Sequence, residues 1–293
     1  MFRSLLATVV AALSLSAIAS PIKARDNGGV DDITVLNYAL TLEHLENAFY
    51  SGALAKFDEK AFADAGYPSW VRGRFTEIAA HEKTHVDFLA KALGDKATQP
   101  CTYSFPYTDP KSFAALSQVL EGVGSSAYSG AAKFISNKDY LTAAATILTT
   151  EARHAGWVSS SVNQFAGWGG AFETPLGLNE VFTLAAPFIT SCPSTNPALP
   201  VKAFPDFTVE NKLPGSTAAV TFKSDTAPTF VAFYSGLDTI FAPITNGQVT
   251  IPKGLLGQVY AVGTTDGTQA ANSTVAGPAI LLFETDPSGN YIQ

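Results

Sequence analysis

Basic residues are in short supply in this chain: 18 lysines and arginines face 25 aspartates and glutamates, and nowhere do they gather into a stripe. An acidic field repels polyanions, which argues against nucleic acid and anionic membranes as partners. Long apolar runs are missing too. The longest, Leu5 to Ala19, is too short to span a bilayer, so no transmembrane segment is expected. It follows Met1-Phe2-Arg3 and ends in Ala17-Ile18-Ala19 before Ser20-Pro21, the pattern of a signal peptide over residues 1–19. The mature chain is therefore expected to be secreted, extracellular or in the cell wall, with residues 20–30 as an N-terminal segment. Cysteine occurs twice, at Cys101 and Cys192, and in an oxidising compartment the two read as one disulfide. Asn272-Ser273-Thr274 is the one glycosylation acceptor pattern.

What is present changes character along the chain. From about residue 31 to 192 the apolar residues recur with helical period: Val35, Tyr38, Leu42, Leu45 and Phe49 form one stripe. A second helix is expected over Trp70 to Leu93, stopped by Gly94-Asp95. A third opens at Asp109, with Pro110 at its first position, and reaches about Ile135. The fourth opens at Asn137 to Asp139 and reaches about Phe165, and a short fifth lies between Leu178 and Ile189. The long connection from Gly94 to Asp109 suits a crossover between parallel helices of a bundle. Residues 193–206 hold four prolines and read as an extended, semi-rigid linker. From 207 to 293 about seven short alternating runs predict a small β-sandwich of immunoglobulin or fibronectin-like character. It has no histidine or cysteine, so it is expected to support the chemistry and not perform it. The fold class is thus mainly α, a four-helix bundle with an appended β domain.

The chemistry is concentrated in two Glu-x-x-His quartets, Glu82 to His85 and Glu151 to His154. Residues three apart share a helix face, so each pair can offer a carboxylate and an imidazole to one centre. Each quartet follows a segment in which a glutamate stands seven residues before a tyrosine, Glu43 with Tyr50 and Glu121 with Tyr128. Eleven glutamates and four histidines would place glutamate three before two of the histidines by chance on the order of one time in a hundred. These acids also sit among core-facing residues, where unpartnered carboxylates cost several kcal/mol. Two divalent cations remove that conflict, because four carboxylates offset the charge of two M²⁺ ions. The oxygen and imidazole set suits iron or manganese, with zinc less favoured. Glu46, three residues after Glu43, is an alternative to it or a supporting group. His81 is a supporting or surface histidine, with a zinc-like pairing to His85 as the other reading. His44 points elsewhere, and Tyr50, Tyr128 and Trp157 are core aromatics placed to bond ligands or carry electrons.

The stretches Leu42 to Tyr50, Glu82 to Val86, Leu120 to Tyr128, Glu151 to Ala155 and Ser191-Cys192-Pro193 resemble the ferritin-like superfamily. More narrowly, they are similar to secreted fungal ferritin-like proteins related to stress-response and desiccation-related proteins. The resemblance covers roughly residues 31 to 195 and leaves the β domain unexplained. It implies that Glu43 and Glu121 are terminal ligands, that Glu82 and Glu151 bridge, and that His85 and His154 each bind one ion. It also implies reaction with dioxygen or peroxide, of ferroxidase, peroxidase or catalase type. The contrasting expectation is a non-catalytic stress protein whose metal site is structural or vacant.

Overall fold

A computed structural model describes residues 30–268, 273–286 and 288–292. The signal-peptide pattern, nearly all of the 20–30 segment and the acceptor Asn272 lie outside these residues. Helix α1 (Asp32–Lys56) packs on α3 (Trp70–Leu93), and α4 (Pro110–Ala131) packs on α5 (Lys138–Trp157). Their starts follow local chemistry. Asp31 accepts a hydrogen bond from the Thr34 amide, Asp109 and Ser112 form a reciprocal capping box ahead of Pro110, and Asn137 caps α5. Gly94 ends α3 with φ of 56°, a backbone conformation that glycine adopts without steric cost. The turn between α1 and α3 holds a short helix, α2 (Glu59–Asp64), capped by Asp58 and pinned by Phe62 in the core.

Three helix ends differ from the sequence expectation. Helix α4 gives way at Ala131 to a 3₁₀ turn over 132–134. Helix α5 stops at Trp157 and continues as a π-helical turn, Val158–Val162, instead of running to Phe165. Here hydroxyls compete for the backbone: Ser160 donates to the Gly156 carbonyl and Ser159 to that of Ala166. Helix α6 (Leu178–Ala185) stops early because Pro187 sits in the turn that follows.

The crossover after α3 carries β1 (Thr102–Tyr103), which pairs with β2 (Ile189–Ser191), and Cys101 is disulfide-bonded to Cys192 beside that pair. Beyond it, the segment expected to be a spacer is docked. The Lys202 and Phe204 amides donate to Asn179 and Thr183 on α6, while Leu199 and Val201 pack into a core with α1 and α4 residues.

The C-terminal region forms two antiparallel sheets around one core. One has the order β3 (Phe207–Val209), β4 (Thr217–Phe222), β7 (Gln248–Thr250). The other runs β6 (Asp238–Pro243), β5 (Phe230–Ser235), β8 (Gly257–Thr264), β9 (Thr274–Phe283). Because side chains alternate along a strand, Val259 and Ala261 of β8 enter the sheet core while Tyr260 points the other way, to the helices. There Tyr260 is 1% exposed, its hydroxyl 2.8 Å from that of Ser126 and 3.1 Å from the Gly122 carbonyl that it donates to. The Gln118 amide reaches Glu284 at 2.7 Å.

Candidate metal centre

The four long helices bring Glu43, Glu82, His85, Glu121, Glu151 and His154 together. All four carboxylates are 0–1% exposed, in a core built largely of Leu, Val, Ile and aromatic side chains. Helical spacing accounts for the paired members: three residues along α3 put His85 Nδ1 3.1 Å from Glu82 Oε2. The same nitrogen stands 3.3 Å from Glu43 Oε2 and 3.2 Å from Glu151 Oε1. On the other side, His154 Nδ1 is 3.2 Å from both Glu82 Oε1 and Glu121 Oε2.

These atoms divide into two sets, Glu43, Glu82, His85, Glu151 and Glu82, Glu121, Glu151, His154, whose ligand atoms all lie within 4.8 Å of one another. Glu82 and Glu151 belong to both. Ligand atoms at right angles about 2.1 Å from one ion stand about 3 Å apart, which is close to the separations seen here. Of these contacts, His85 Nδ1 to Glu82 Oε2 and His154 Nδ1 to Glu121 Oε2 have hydrogen-bond geometry and the other three do not. Glu43 Oε2, Glu82 Oε1 and both Glu151 oxygens are buried without a hydrogen-bond partner, three of them despite an imidazole nitrogen within 3.3 Å. Atoms that face a common point and not one another fit a cation between them, so the residues suit a metal.

Electrostatics agree with a site short of positive charge. Burial raises the Glu43 carboxyl to about 7, with the Glu82 charge adding to it against the pull of His85. Burial also pushes Glu151 well above the carboxylate range, reinforced by Glu82, Glu121, Glu46 and Glu43. Glu82 runs the other way: burial would raise it, but the imidazoles of His154 and His85 beside it hold it at about 2. Burial favours neutral imidazoles, yet the surrounding carboxylates lift His85 to about 10 and His154 to about 9.

The tyrosines bond ligand carboxylates, but across helices and not to the glutamate on their own helix. Tyr50 on α1 donates to Glu121 Oε1 on α4, and Tyr128 on α4 donates to Glu43 Oε1 on α1. Each of these two glutamates thus has one oxygen on a tyrosine and the other toward a histidine. Ser117, one turn before Glu121, sits 2.7 Å from the Tyr50 hydroxyl, and its i, i+4 spacing was a readable signal. Glu46 is buried beside the cluster but in neither set. His81 also joins neither; its Nδ1 meets His154 Nε2 at 2.9 Å, which fixes the far side of that ring. His44 turns away to the Thr98 carbonyl at 3.1 Å. Trp157 packs on Phe75 and Trp70 in the aromatic core.

Residues 31–164 match the ferritin-like domain family. Among curated proteins, Protein rds1 of Schizosaccharomyces pombe (strain 972 / ATCC 24843) is 31% identical over 183 residues, covering 59% of this chain and 43% of that protein. The chain spans less than half the length of that relative.

Proposed function

We propose that the helical domain holds two divalent ions, iron or manganese, and reacts there with dioxygen or peroxide in an oxidative-stress role outside the cell. The observation that carries this reading is the sharing of Glu82 and Glu151 between two ligand sets. Glu43 and His85 would complete one ion, Glu121 and His154 the other. Bound redox metals supply the electrons that dioxygen or peroxide takes up. The chain's own residues do the rest. Tyr50 and Tyr128 hold one oxygen of Glu121 and Glu43 so that the second faces inward, and His81 orients His154. The aromatic wall of Phe49, Phe75 and Phe113 keeps bulk water from the Tyr50 side. Secretion is supported by the signal-peptide pattern and the disulfide, and among the described residues no helix is long and apolar enough to cross a membrane.

Metal analysis of purified protein, followed by dioxygen and peroxide consumption, tests the proposal. Two redox metals per chain with turnover is the expected result. Protein that takes up no metal and keeps its stability in chelator would overturn it.

A further inference from the structure

A cavity of about 270 Å³ lies between α1, α4 and the end of α6, lined on one side by Glu46 and Gly124, which adjoin the centre. Leu45, Leu120 and Val123 form its buried floor, and Leu184, Phe188 and Ile280 stand half-buried at its rim. Ile280 comes from β9, so the C-terminal region completes the wall. The lining has a single ionisable side chain, Glu46, which is buried and has no hydrogen-bond partner among the described residues. Next to it is Gly124. A Cβ there would stand 3.0 Å from Glu46 Oε1 and 3.2 Å from Glu151 Oε2. Gly124, which lines the cavity, thus lies close to a carboxylate common to both ligand sets, and a side chain there would crowd it.

The chemistry of the lining selects its occupant. Apolar walls bind hydrocarbon-like molecules and reject ions, whose desolvation costs several kcal/mol. Peroxide, which needs several hydrogen bonds, would find one carboxyl. The volume lies just below the roughly 300–1,000 Å³ range of organic ligand pockets and is far more than a diatomic gas requires. We propose that this cavity binds a small, uncharged, predominantly apolar organic molecule and presents it to the metal centre at the Glu46–Gly124 edge. The inference rests on the di-metal reading above and extends it to a class of substrate.

Its test uses the full, metal-free chain titrated calorimetrically with benzene and 1-hexanol, and with hexanoate as the charged control. Saturable binding of the two neutral probes is expected, with hexanoate at least tenfold weaker. Leu184→Trp or Ile280→Trp, two rim changes on different elements, should each weaken the neutral probes at least tenfold with the circular dichroism and metal stoichiometry of the parent. Absence of saturable binding, or binding that neither rim variant alters, would overturn the cavity assignment. A chain that binds both probes and takes up no metal would instead overturn the di-metal reading on which it rests.

Discussion

Tyr50 and Tyr128 each hold a carboxylate on the opposite helix. The interval of seven residues correctly returns tyrosine and glutamate to one face, but it also sets them about 10 Å apart along the axis, beyond a direct bond. Side-by-side packing of α1 and α4 brings each tyrosine level with the other helix's glutamate, a relation that no single-helix pattern encodes. Tyr50→Phe should leave Glu121 Oε1 without its donor, costing about 1–3 kcal/mol in denaturant unfolding of the metal-free protein. Metal affinity should fall about 10- to 100-fold, measured by competition with a chelator. The histidines set a pH dependence. With folded-state values of about 10 and about 9 against an ordinary 6.5, His85 and His154 add stability to the metal-free chain that is complete below about pH 6.5 and lost as pH rises through those values. Metal binding needs the same rings neutral, so its contribution grows over that interval. The gap in unfolding temperature between metal-loaded and metal-free protein should widen from about pH 6 to about pH 9; a constant gap would contradict the assignment.

Helix α4 serves two partners at once. Its Glu121 and Tyr128 face the centre, while Gly122, Ser126 and Gly130, spaced by four, let other backbone and side chains approach. A Cβ at Gly130 would fall 1.8 Å from the Leu176 carbonyl oxygen, and one at Gly122 would meet the Gln258 side chain at 2.7 Å. Gly130→Ala should therefore destabilise the protein by about 1–3 kcal/mol in denaturant melts, since a main-chain atom must move. Unchanged stability would show that the 173–177 segment yields freely. The helical spans, the caps at Asp109 and Asn137 and the runs that become β3 to β9 were legible because each depends on local pattern. The small-residue row on α4 lies in the sequence too, but its partners are distant along the chain, at Leu176, Gln258 and Tyr260, and periodicity carries no information about such pairings. Helix α2 escaped notice because six residues complete too few turns to show a period.

The helical and β regions share a core cluster in which Tyr38, Val123 and Val181 surround Tyr260, so the molecule should melt as one unit. Calorimetry of the metal-free chain is expected to show a single transition, and Tyr260→Ala, removing a fully buried ring, should lower stability by about 3–5 kcal/mol. Two transitions in the parent protein would refute that coupling. The disulfide closes a separation of 91 residues, for which loop entropy gives about 4–5 kcal/mol, so Cys101→Ser with Cys192→Ser should lose most of that in reversible unfolding. The docked segment between the two regions carries a further implication for how this architecture tolerates change in length. Lys202 and Phe204 bond Asn179 and Thr183, which stand one helical turn apart on α6, so the main chain there is read in a fixed register. An inserted residue between 202 and 204 would throw the second bond off its acceptor, whereas an insertion in the exposed turn at 224–227 would leave both in place. The stretch that by composition looks most like an adjustable tether is thus one of the least forgiving places in the chain to add or remove a residue.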